Sequence, residues 1–110
     1  MSNSLCAGFC AVGSALVLLL AQAAQAADEA NGKALHDENC TSCHIQMTGG
    51  DGSALYTRKD RKMKSMDSLK TQILRCASAK NLSWFDEEVN DVAAYLNATY
   101  YEFDTAPKAE

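Results

Sequence analysis

The residues of this chain best equipped for chemistry are consecutive: Cys40-Thr41-Ser42-Cys43-His44. Two cysteines three apart share one turn of a helix and face the same side, so both thiols can add to two vinyl groups along one edge of a flat macrocycle. The histidine that follows then falls beneath the ring, where a neutral imidazole nitrogen is a strong iron ligand. Cys-X-X-Cys-His therefore reads as the attachment site of one covalent haem c, with Cys40 and Cys43 forming the thioethers and His44 as proximal iron ligand. Two other uses of paired cysteines compete with this one. A redox dithiol belongs beside a βαβ pattern, which the chain lacks, and a structural zinc wants a second Cys or His pair. After the N-terminal segment only His36 and Cys76 are left over.

The elements that must position these residues all read as helix. Glu29 to Cys40 favours helix, with Asp28 as its cap and acidic residues in its first turn, and it runs into the Cys40 to His44 segment. Gln46 to Ser53, with Gly49, Gly50 and Gly52, reads as a loop. Tyr56 to Lys64 is a charge run without an apolar period. Ser65 then caps a second helix, in which Met66, Leu69, Ile73 and Cys76 recur at three- and four-residue spacing and are expected to share a buried face. Ser83 is expected to cap the third main helix at Asp86. That helix is the most amphipathic: Val89, Val92, Ala93, Leu96 and Tyr100 form one stripe, while Asn90, Asp91 and Asn97 point elsewhere. The tail after Phe103 is expected to fray. The predicted fold class is all-α, with about three main helices around one covalent haem.

The first 26 residues carry no charge, and Leu5 to Leu20 is almost wholly apolar before Ala21-Gln22-Ala23-Ala24-Gln25-Ala26. This reads as a signal peptide over 1–26, cleaved after Ala26, although no Lys or Arg precedes Lys33 to form the usual positive start. The competing reading is an uncleaved anchor, but the apolar run of about 16 residues is shorter than the roughly 20 a bilayer core asks for. Residues 27–110 remain as one domain, marginal for a self-sufficient core unless a cofactor adds buried contacts. Export agrees with the motif, because haem is attached to such proteins outside the cytoplasm. With 10 basic and 14 acidic residues the formal charge is −4, which argues against general nucleic-acid binding.

On these motifs the chain resembles the class I cytochromes c. The likeness runs from Gly32-X-X-Leu35 and Cys-X-X-Cys-His to Val92-Ala93-Ala94-Tyr95-Leu96. The resemblance implies that Gly32 lets the last helix cross the first closely and that Tyr95 packs at the crossing. His36 stands where the family commonly has Phe or Tyr, and reads as a packing or surface histidine ahead of a ligand. The resemblance also implies a distal methionine just before the last helix, but Ser78 to Ser83 contains none. The distal ligand is therefore left between Met63 and Met66, with Asn81, Lys80, Cys76 or an open position as alternatives. Met47 follows His44 too closely to reach the opposite face. Cys76 reads most simply as a buried structural thiol.

The function that follows is one-electron transfer between periplasmic redox proteins, with no substrate transformed. Two alternatives stand beside it: a small-ligand-binding or sensing haem protein with an open or weakly ligated iron, and a haem subunit of a larger oxidoreductase. Arg58, Lys59, Arg61, Lys62 and Lys64 form a basic cluster on an acidic chain, suited either to solvent or to docking an acidic partner. Trp84, Phe85, Tyr95, Tyr100 and Tyr101 read as core aromatics. No membrane span is expected once the signal is removed.

Overall fold

The computed structural model describes residues 26–105. Residues 1–25 of the segment read as a signal peptide, and Pro107 of the tail, lie outside the described residues. Among the described residues every regular element is helical: α1 Glu29–Asn39, α2 Thr41–Thr48, α3 Ala54–Thr57, α4 Met66–Ala79 and α5 Asp86–Leu96, followed by a π-helical turn, Asn97–Tyr101.

Asp28 caps α1, its carboxylate accepting from the backbone N–H of Asn31 at 3.0 Å. The first helix does not run unbroken through the cysteines. It ends at Asn39, and α2 begins after the single break residue Cys40, whose N–H still donates to the His36 carbonyl at 2.8 Å. α2 continues to Thr48, into the segment read as loop, and the short α3 occupies the start of the charge run. Ser65 caps α4 as expected: Ser68 N–H donates to Ser65 Oγ at 3.2 Å and Ser65 N–H to Ser68 Oγ at 3.1 Å. Ser83 does not start the last helix. Phe85 holds the cap position instead, and its N–H donates to the Glu88 carboxylate at 2.8 Å, so the reciprocal arm of a capping box acts alone.

The core gathers Tyr56, Leu69, Ile73, Val89, Val92, Ala93, Leu96 and Tyr101. The apolar stripe of α5 is thus buried as its period demands. On α4 the buried face is Leu69, Ile73 and Ala77; Cys76, expected among them, is exposed, and Met66 is half-buried. Phe85, expected in the core, is 76 % exposed.

α1 and α5 form the main crossing, and its closeness has a single cause. A Cβ added at Gly32 would stand 1.9 Å from the Asp91 carbonyl oxygen, a backbone atom that cannot yield; any side chain there would force the two helices apart. Asp91 itself departs from the sequence expectation, because it is buried at the crossing. Its carboxylate accepts from Asp28 N–H at 2.7 Å and from Asn31 Nδ2 at 2.8 Å, which satisfies the backbone N–H of the cap residue and a side-chain amide of the first turn, and places negative charge where the helix dipole favours it. Asn97 is structural as well, and pins the chain end by accepting from Phe103 N–H at 2.7 Å and donating to its carbonyl at 3.2 Å.

Candidate haem site

Cys40, Cys43 and His44 are set by the junction of α1 and α2. Because the backbone stays helical on both sides of the break, His44 N–H donating to the Cys40 carbonyl at 3.2 Å, the three side chains issue from one turn. Gly52 holds this turn from behind. It has φ +81°, a conformation that favours glycine, and a Cβ there would stand 2.9 Å from His44 Cβ.

In front of the turn lie two cavities with a common wall. The larger, about 530 Å³, is lined by Cys40, His44 and Met63 with the apolar Leu69, Val92 and Leu96. The smaller, about 190 Å³, is lined by Cys40, Cys43 and His44 together with Ile73, Cys76 and Trp84. The larger is within the roughly 300–1,000 Å³ typical of cofactor sites. Arg58, Lys62 and Arg75 also line it, giving cationic partners for a macrocycle bearing carboxylates.

Electrostatics suit the same group. Burial, reinforced by the neighbouring His36, holds His44 below the usual imidazole pKa and so keeps it neutral, as a metal ligand must be. Burial first, and Cys76 next, push the free Cys40 thiol up to about 11. Cys40 and Cys43 are both free thiols in the polypeptide, available for thioether formation. Among the described residues no three His, Cys, Asp or Glu side chains converge, so a structural zinc lacks its donor set. Thiols, imidazole and apolar walls together fit a covalently held haem.

The distal candidates separate in space. Met63 and Cys76 line the larger cavity with His44. Met66 lines neither cavity and packs against the core. Lys80 borders the smaller cavity, but its ammonium donates to the Asn39 carbonyl. Asn81 is exposed and adopts φ 57°, the left-handed residue that ends α4, after which Leu82 N–H closes on the Ala77 carbonyl at 2.9 Å.

Two further residues matter that spacing alone did not point to. Tyr56 is buried, and its hydroxyl lies 2.6 Å from His44 Nδ1 and 2.9 Å from His36 Nε2. His36 is therefore a packing residue, as read, and also a hydrogen-bonded one. Arg61 leaves the basic cluster altogether. Its guanidinium donates to the carbonyls of Tyr56, Tyr100 and Tyr101 at 3.1–3.2 Å, and stacks 4.7 Å from the Tyr101 ring. Twelve residues separate Tyr56 from His44, and about forty separate Arg61 from Tyr100 and Tyr101, so no local pattern could reveal either pairing.

Fold and site together fit a small helical haem protein, with the Cys-X-X-Cys-His turn as its candidate attachment point. Comparison with known sequences agrees: residues 27–96 match the family described as cytochrome C oxidase, cbb3-type, subunit III, and the chain belongs to the monohaem, class I-like cytochromes c. It is similar to cytochrome c6 of Thermosynechococcus vestitus and of Thermostichus vulcanus, at 33 % identity in each case over 79 % of this chain and 84 % of the relative. No solved structure matches the chain. As a member of this family it carries one covalent haem c and is an electron carrier rather than an enzyme. Among the described residues no helix is long and apolar enough to cross a membrane.

Proposed function

We propose that residues 1–26 direct export and are removed, and that residues 27–110 carry single electrons between periplasmic redox proteins through a haem bonded to Cys40 and Cys43 and ligated by His44. The observation that carries this reading is the pair of adjoining cavities, the smaller walled by both thiols and the imidazole and the larger by Cys40, the imidazole and apolar side chains. When bound, the haem supplies a one-electron ferric–ferrous couple. The polypeptide does the rest. Cys40 and Cys43 fix the group's edge, His44 presents a neutral nitrogen, and Leu69, Val92 and Leu96 exclude water, which favours a carrier over a site open to reaction.

For the sixth position the candidate is Met63, which lines the larger cavity where Met66 does not; a thioether suits electron transfer and raises the potential. The test is an absorption spectrum of the ferric and reduced holoprotein, with and without carbon monoxide. The expected parent shows a weak sulfur-to-iron band toward the red and ignores carbon monoxide, and Met63→Leu loses the band and lowers the potential. One observation supports the alternative of a ligand-binding haem: the segment before α5 has no methionine, and its Asn81 is committed to ending α4. Carbon monoxide binding by the parent would select that alternative.

A further inference from the structure

The hydroxyl of Tyr56 sits between two imidazoles, and its surroundings leave one assignment of protons that satisfies every group. The reading of His44 as proximal ligand through Nε2 leaves the ring proton on Nδ1. That N–H donates to Tyr56 Oη at 2.6 Å. Tyr56 has a single proton of its own, and the remaining partner is His36 Nε2 at 2.9 Å, which must then accept. His36 keeps its proton on Nδ1, where Asp37 Oδ1 faces it at 3.3 Å. Each proton has one acceptor, and the chain ends on a carboxylate held ionised chiefly by Lys33 and next by His36.

The middle of this chain is rigid. Tyr56 and His36 are each 6 % exposed. The Tyr56 carbonyl is fixed by Arg61, its ring packs 5.1 Å from Tyr100, and the His36 ring packs 5.4 Å from Tyr95. Such a shell orients the imidazole that binds iron and raises its basicity, because a ligand N–H that donates to a good acceptor places more electron density on the metal-binding nitrogen. Greater donation stabilises ferric over ferrous iron.

We propose that Tyr56 is a positioning residue for the proximal ligand, and that the chain His44–Tyr56–His36 lowers the reduction potential of the haem and fixes the plane of the His44 ring. The proposal rests on His44 being the proximal ligand, and makes Tyr56 and His36 responsible for tuning it.

The experiment is a redox titration of the covalently loaded holoprotein and of Tyr56→Phe, His36→Leu and His36→Gln, with the ferric parent labelled with ¹⁵N-histidine and followed by nuclear magnetic resonance. Tyr56→Phe keeps the ring and removes the acceptor. Its ferric-to-ferrous equilibrium is expected to shift about tenfold toward ferrous, which is about 59 mV for one electron, with accelerated exchange of the His44 Nδ1 proton. His36→Leu shifts it the same way by less, and His36→Gln, whose carbonyl can accept from Tyr56, returns toward the parent. A purely structural role would lower the melting temperature of both His36 variants without separating their potentials. A Tyr56→Phe potential unchanged within twofold in the equilibrium, or moved the other way, overturns the proposal. Should Tyr56→Phe fail to load haem, the His36 pair decides, and equal potentials overturn it. A parent without a hyperfine-shifted histidine overturns His44 ligation and this proposal together, whereas a shifted histidine with unmoved potentials overturns the proposal alone.

Discussion

Arg61 shows how a residue can look like surface charge and serve as a bolt. In sequence it is one of five basic residues within Arg58 to Lys64, and nothing distinguishes it from Lys59 or Lys62. In space it is half-buried and joins three carbonyls from two parts of the chain, a role that suits the planar fork of guanidinium and not an ammonium. Arg61→Ala is therefore expected to cost about 2 kcal/mol, since hydrogen bonds to charged groups contribute about 1.5–3 kcal/mol. For a domain of this size that lowers the melting temperature by roughly 8–16 °C. Lys59→Ala, on an exposed side chain, should leave it unchanged, and thermal melts of the two holoproteins check the contrast. That Cys40, Cys43 and His44 issue from one turn was legible because they are adjacent in sequence. Tyr56, Asp91 and Arg61 were not, because each acts on a partner distant in sequence, and a polar residue looks the same in a pattern whether it faces water or a buried acceptor.

At the scale of elements, the long periodic segments were legible and their ends were not. α4 and α5 follow from apolar spacing, and Ser65 caps where a serine before such a run should. The start of α5 misled because Ser83 offers a good capping oxygen, yet the helix begins three residues later with Glu88 reaching back to Phe85. Cys76 has the spacing of a buried position but lies exposed beside the cavity, next to Ile73 in its wall. A helical stripe broad enough to pack on α5 and also wall a cavity looks in sequence like one continuous core face. The break at Cys40 was hidden because it is a single residue: Asn39, Thr41 and Ser42 beside it are weak helix formers but are tolerated inside helices, and the hydrogen bond from Cys40 N–H to the His36 carbonyl carries the helical turn across it. Gly32 was legible through the family resemblance, and its physical cause is the Asp91 carbonyl that occupies the place of a side chain.

The whole molecule combines an acidic balance of −4 with a basic segment. Arg61 is withdrawn into the structure, and Arg58, Lys59, Lys62 and Lys64 remain exposed. Arg58 pairs loosely with Asp60 at 3.6 Å, and Arg58 and Lys62 border the large cavity, so positive potential lies beside the proposed haem. Such an arrangement would suit the docking of an acidic partner beside the haem. Lys59→Glu with Lys62→Glu is expected to slow electron exchange with an acidic redox protein several-fold at low salt, and the difference should vanish at high salt, where the Debye length falls to about 3 Å at 1 M. Stopped-flow mixing at two ionic strengths reads this directly, and an unchanged rate at low salt would remove the docking role.

The central claim is that one haem is bonded to this polypeptide at Cys40 and Cys43, and mass spectrometry of the exported protein tests it most directly. Trypsin should release residues 34–58, which lie between Lys33 and Arg58 and contain both cysteines and His44. The account predicts that this peptide carries the mass of one haem after acid–acetone extraction and that both of its thiols resist alkylation. Haem lost to the extract, with Cys40 and Cys43 both alkylated, would contradict it.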